Sequence, residues 1–211
     1  MPLEKITVEP DRAWALWRIE ETERDLVKEI NGYEQISETL TNPMKRLEWL
    51  AGRVLTKEVM KALQLDFRGI TKDEFGKPFP KASSFQLSLS HSFPYVGVLM
   101  DRYFPAGIDL EQPKDKLLRI ASRIHHEEEL KDAGTDLTKH CIYWCAKESL
   151  VKWYGKKDLI FAENMFIGPF ERKHEGDIHG KIIAAGKETM IPLHYIVYPN
   201  FVVVFTNPAR L

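Results

Sequence analysis

Apolar residues recur at three- and four-residue spacing from Met44 through Leu47, Leu50, Ala51, Val54, Met60 and Leu63, which predicts a helix over Pro43–Leu65. Asn42 suits its N-cap, and Pro43 suits the first helical position, where a missing amide hydrogen costs nothing. A second, less regular helix is predicted over Trp14–Ile30, with Trp14, Trp17, Leu26 and Ile30 turned inward. After DEFGKPFP the period changes to two: Phe85, Leu87 and Leu89 face one way, and Gln86, Ser88 and Ser90 the other. A turn at HSFP then leads into YVGVLMD, so a hairpin is expected. AGIDLE at 106–111 alternates again, with Ile108 and Leu110 on one side and Asp109 and Glu111 on the other. Further helices are expected over Lys116–Ile124 and Thr138–Tyr154. Strands are expected around 159–168, 178–186, 191–198 and 201–206, with a turn at Pro199–Asn200. Helices and strands are grouped and do not alternate, which favours an α+β fold over a doubly wound sheet.

Composition narrows the class. A chain of 211 residues buries roughly 70% of its unfolded surface, and its length allows two halves divided near Pro105, 1–105 and 106–211. With 44% hydrophobic and 29% charged residues, disordered, collagen-like and coiled-coil classes fall away. Lys plus Arg number 30 against 31 Asp plus Glu, a net charge of -1. An anionic partner must therefore be met by a local basic cluster, and bulk nucleic-acid binding is disfavoured. The start, MPLEKITVEP, lacks the basic, apolar and small-residue order of a secretory signal, and runs such as YVGVLM are too short to span a bilayer. A cytoplasmic location with no membrane partner is the expectation. Cys141 and Cys145 fall on one helical face, as two small buried side chains or as half a metal site.

The candidate chemistry lies in a few polar groups. Asp109 and Glu111 share a strand face with side chains starting about 6.6 Å apart. Their repulsion is roughly 2.5 kcal/mol at an effective dielectric of 20 and about 0.6 kcal/mol in water. On a solvated face the pair means nothing; in a cleft it calls for a cation, and carboxylates with water are what Mg²⁺ prefers. Gly107 just before it allows close backbone approach or marks a bulge. Glu148 and Lys152 stand one helical turn apart among Trp144, Val151 and Trp153, where a carboxylate needs a partner. Basic residues gather at Lys45, Arg46 and Arg53, at Lys77 in the tight GKP turn, and at Lys147 with Lys152. His91 lies between Ser90 and Ser92 at the hairpin turn, with donors close enough together to hold a phosphate. His125 and His126 precede three glutamates and read as a solvated helix end.

Taken in order, KRLEWLAGR at 45–53, FGKP at 75–78, LSLSHS at 87–92, GIDLE at 107–111 and WCAKESLVK at 144–152 resemble the 4′-phosphopantetheinyl transferases. The length resembles the surfactin-type, two-lobed monomeric branch. That resemblance implies two similar α+β lobes related by a pseudo-twofold axis, with coenzyme A as co-substrate between them. It implies that Asp109, Glu111 and Glu148 hold Mg²⁺, with Glu148 also the base. Lys152 is implied to contact the phosphates and protonate the leaving group, while Lys77, Ser90 and His91 surround the nucleotide and its 3′-phosphate. Arg46 and Arg53 lie in the helix that carries basic contacts to the nucleotide end; Glu48 stands where some members have arginine. Glu129 matches a family acid, with Ile124 and His125 replacing the usual aromatic pair. The implied activity is that of a holo-[acyl-carrier-protein] synthase type transferase, acting on an apo acyl, peptidyl or aryl carrier protein.

The chemistry agrees with these residues. Moving phosphopantetheine onto a serine hydroxyl attacks a highly charged anhydride, so electrostatic stabilisation supplies much of the catalysis. The nucleophile belongs to the acceptor, and the enzyme needs a base, a metal and a cation, not a serine or cysteine of its own. Two rivals use the same groups: a metal-dependent phosphohydrolase with water as nucleophile, and a noncatalytic module that binds coenzyme A or a carrier. The first would need further His or Asp ligands; the second would have no use for a repelling carboxylate pair.

Overall fold

The run RAWALWR, apolar at each position between its arginines, forms strand β2 (Arg12–Arg18) and not the start of a helix. β2 pairs with β1 (Leu3–Glu9) along one edge and with β6 (Tyr95–Asp101) along the other. Both faces of β2 are buried, so apolar residues fill both and the period-two signal vanishes. Trp14 and Trp17, one on each face, then mimic helical spacing. Only the second part of the expected Trp14–Ile30 helix is helical, as α1 (Glu23–Ile30), with Leu26 and Ile30 buried as expected. The computed structural model describes residues 3–30 and 32–208, and the fold is α+β.

The chain divides into two compact units, Met1–Ala106 and Gly107–Leu211. In the first, β5 (Gln86–Ser92) and β6 form the expected hairpin, and the antiparallel sheet runs β1-β2-β6-β5. α2 (Pro43–Ala62) packs Leu50, Ala51, Val54, Leu55 and Val59 into one core with Ala15, Trp17, Leu87, Val96 and Val98. The Asn42 side chain accepts the Lys45 amide hydrogen at 3.1 Å, the capping read from sequence. α2 stops at Ala62, short of Leu65, because Gln64 turns to φ 60° and the Leu65 amide donates back to the Met60 carbonyl. Two short strands, β3 (Ile70–Lys72) and β4 (Pro78–Pro80), pair across the turn that carries Lys77.

The second unit is a five-stranded antiparallel sheet ordered β7-β11-β10-β9-β8, packed on a long helix. Its elements are β7 (Ile108–Glu111), α3 (Lys116–Ile124), α4 (Glu127–Ala133), α5 (Leu137–Tyr154), α6 (Phe161–Asn164), β8 (Met165–Ile167), β9 (Glu175–Ala184), β10 (Lys187–Val197) and β11 (Val202–Thr206). α3 lies where its periodicity places it, and α5 spans the stretch expected to be helical. The 159–168 segment differs: one helical turn, α6, precedes a three-residue strand. α4 was not expected, because its charged EEELKDA carries almost no apolar stripe.

His125 is a correction as well. It is 3% exposed, packed 5.3 Å from the His140 ring, and only His126 caps α4. Lys147, grouped with the surface cations by sequence, is fully buried and pairs with Glu129 at 2.6 Å. It also donates to the carbonyls of Ile124 and Phe161, while Glu129 accepts the amide of Ile167. That buried pair ties α3, α4, α6 and β8 to α5. Cys141 and Cys145 are buried and free, and burial pushes the Cys145 thiol well up, as suits two core thiols. Among the described residues no helix is long and apolar enough to cross a membrane.

Candidate active site

β7 meets α5 at a glycine. A Cβ on Gly107 would overlap the Ser149 carbonyl oxygen and lie 3.0 Å from the Trp153 nitrogen, so only glycine lets the strand press against the helix backbone. The Thr206 amide donates to the Gly107 carbonyl at 2.9 Å, and the Ser149 hydroxyl donates to the Val204 carbonyl at 2.9 Å, which locks β7, β11 and α5 together.

This contact brings Asp109 of β7 to Glu148 and Lys152 of α5. Lys152 donates to the Asp109 carboxylate at 2.7 Å and to the Ile108 carbonyl at 2.9 Å. Asp109 is 6% exposed. Burial first, and then the Asp109 charge, push the Glu148 carboxyl up to about 7 against the opposing pull of Lys152. Two carboxylates thus crowd one ammonium group in a partly desolvated place, which favours a further positive charge. Glu111, on the same strand face, is held by Lys116 at 2.7 Å and accepts the Gln112 amide at 2.8 Å. Among the described residues no three His, Cys, Asp or Glu side chains are grouped closely enough to hold a metal ion.

The candidates of the first unit fall into separate settings. Lys77 follows a turn in which the Asp73 carboxylate accepts the Phe75 and Lys77 amides, with Gly76 at φ 89°; burial lowers the lysine's pKa. Ser90 is buried on β5, opposite Gly97. His91 turns toward α2, where its Nδ1 lies 3.1 Å from the buried Glu48 carboxylate. Arg46 is gripped by Glu23 through contacts of 2.6–3.1 Å and donates to the Leu40 carbonyl. Arg53 pairs with Glu34 at 3.0 Å and stacks 3.4 Å from the centre of the Trp49 ring.

The sequence reading missed Glu48 as the partner of His91 and Lys116 as the partner of Glu111. Lys45 three residues before Glu48 is a readable helical pair. Nothing local points from Glu48 to a hairpin far along the chain.

Comparison with known proteins shows a family similarity over part of the chain. Residues 105–197 match the family model of the 4′-phosphopantetheinyl transferase superfamily, and these residues include β7, α5 and the acids just described. The chain is 30% identical over 120 residues to a Salmonella typhi protein named 4′-phosphopantetheinyl transferase AcpT, covering 53% of this chain and 60% of that protein, and a Salmonella typhimurium AcpT matches equally. It is 31% identical over 101 residues to the 4′-phosphopantetheinyl transferase gsp of Aneurinibacillus migulanus, covering 46% of this chain and 42% of that one. The chain therefore spans about half the length of the curated relatives it matches. Over residues 105–197, and over about half of its length against these relatives, the chain is similar to the 4′-phosphopantetheinyl transferase superfamily.

Proposed function

We propose that the protein transfers the 4′-phosphopantetheine group of coenzyme A to a serine of an apo acyl, peptidyl or aryl carrier protein, releasing 3′,5′-ADP. In this reading it is a holo-[acyl-carrier-protein] synthase type enzyme acting as a monomer of the surfactin type. The observation that carries it is the meeting of Asp109, Glu148 and Lys152 where β7 presses on α5.

The donor set suits a hard divalent cation. Asp109, Glu111 and Glu148 offer only carboxylate oxygens, and the ammonium groups of Lys152 and Lys116 already neutralise two of them. The three are not grouped closely enough to form a metal site among the described residues; in this reading they would hold Mg²⁺ once it binds, and the ion would offset charge on the diphosphate and polarise its phosphorus. Glu148, the carboxylate set between Asp109 and Lys152, would take the serine proton. The serine oxygen then bonds to the phosphorus bearing pantetheine, the anhydride P–O bond breaks, and its electron pair leaves with 3′,5′-ADP. Lys152 neutralises the departing phosphate and can give it a proton.

In the first unit we assign the nucleotide end to Lys77, Ser90 and His91. Arg46 and Arg53 of α2 are assigned to the same end, each already paired with a glutamate, Glu23 and Glu34. An acidic carrier is suited by the outer face of α3, where Lys116, Arg119 and Arg123 are exposed around Leu118.

The test is to incubate the protein with coenzyme A, Mg²⁺ and a panel of apo carrier proteins and to read intact masses. The expected result is one serine-linked phosphopantetheine on at least one carrier. Hydrolysis of coenzyme A with no carrier modified would overturn the reading in favour of a phosphohydrolase. Binding with no turnover on any carrier would overturn it in favour of a noncatalytic module.

A further inference from the structure

The Glu48 carboxylate lies 3% exposed on α2, at the end of the β5–β6 hairpin, with both oxygens engaged. Oε2 accepts from the Lys45 ammonium at 2.7 Å and faces His91 Nδ1 at 3.1 Å; Oε1 accepts the Phe93 amide at 3.1 Å. Burial alone would raise the pKa of this acid, but the hydrogen bonds from His91 and Lys45 outweigh it and hold Glu48 at about 2. The His91 side chain is 45% exposed, so the ring is fixed at one nitrogen and open at the other. Which imidazole nitrogen is offered outward is set by the hydrogen bond the other makes. With a hydrogen on each ring nitrogen, Nδ1–H donates to the Glu48 carboxylate and Nε2–H is left as the donor that a phosphate oxygen accepts. Phe93 is gripped by the same acid, so the hairpin turn and the ring are fixed as one piece.

We propose that Glu48 is a positioning residue: it orients His91 so that Nε2 meets a phosphate monoester, and the Glu48–His91 pair sets a preference for a nucleotide carrying that monoester over one lacking it. Coenzyme A carries such a group at its 3′ position, and 3′-dephospho-coenzyme A does not. The inference rests on the reading of His91 as a phosphate contact given above. A hydrogen bond between charged partners is worth enough to make the preference about tenfold or more.

The experiment is calorimetric binding of both nucleotides, in the presence of Mg²⁺, to the wild type and to Glu48→Gln, His91→Ala and the double variant. Glu48→Gln keeps a carbonyl acceptor for the Phe93 amide but removes the charge facing His91. The wild type should favour coenzyme A by about tenfold or more, and Glu48→Gln should reduce that ratio to within about threefold. In the His91→Ala background, Glu48→Gln should add nothing to the ratio, the sign that Glu48 acts through the imidazole. Should Glu48→Gln fail to fold, the ¹⁵N shifts of the wild-type His91 ring decide the matter: a hydrogen on Nδ1 is expected, and a bare Nδ1 overturns the proposal. A wild-type preference that survives Glu48→Gln, or that Glu48→Gln lowers equally without His91, overturns the role of Glu48 and leaves His91 as a phosphate contact. No wild-type preference at all overturns both.

Discussion

His125 shows how much one residue's meaning depends on its surroundings. In the sequence it stands beside His126 and three glutamates, as a solvated helix end would. In the fold both ring nitrogens are buried without a hydrogen-bond partner, with Lys147, Glu129, His140 and Tyr143 around the ring. Burial, then the charges of Lys147 and His140, lower its pKa from 6.5 to about 3. The sign follows from linkage: between those values the unfolded chain binds a proton that the folded one excludes, so stability is full above 6.5 and falls as the pH drops below it. At pH 5 the loss should be about 2 kcal/mol. Urea unfolding of the wild type and His125→Phe at pH 7.5 and 5 checks it: Glu148, pushed up to about 7, acts in the opposite direction in both proteins, so the variant should come out more stable relative to the wild type by about 2 kcal/mol on going to pH 5, and an identical pH response of the two would place the effect elsewhere. Glu148 and Lys152 are legible in a different way. Their helical spacing is plain, and their apolar neighbours call for a partner, but that the partner is Asp109 is known only once β7 is laid on α5.

At the scale of elements, what was legible depended on whether one face was left to water. α3 keeps a face in water, and α2 and β5 keep a polar face even though much of it is buried, so their periods are clear, and α2 adds its Asn42–Pro43 start. α5 is buried nearly all round, yet its length and the turn residues flanking it still mark it as a helix. β2 loses its period because both faces are buried, and α4 because its short stretch is nearly all charge. The candidate site turns on the β7–α5 contact at Gly107. Gly107→Ala should force the strand away from the Ser149 carbonyl and cost about 2 kcal/mol or more, since the obstacle is backbone and cannot rotate aside. Denaturant unfolding and the transfer rate together check this. A fully stable, fully active Gly107→Ala protein would show that the close approach is unnecessary.

For the whole molecule, the near-balance of charge conceals where the charge goes. Arg12, Arg53 and Lys147 are counted among 30 cations, but Asp101, Glu34 and Glu129 hold them inside, so composition alone could not say which cations are left for a ligand. Long-range pairs of this kind decide the site, and a local reading cannot see them. The short motifs did carry the resemblance over the matched segment, because each places a chemical group on an element whose type was readable, as in GIDLE on β7 and WCAKESLVK on α5. Loading of an apo carrier protein, followed by intact mass over time for the wild type and Glu148→Gln side by side, puts the whole scheme at risk. The wild type should add phosphopantetheine to the carrier serine, and Glu148→Gln should do so at least about a hundredfold more slowly while still binding coenzyme A. Equal rates would mean that the acid crowded between Asp109 and Lys152 takes no proton, and that the site built where β7 meets α5 is not where the transfer occurs.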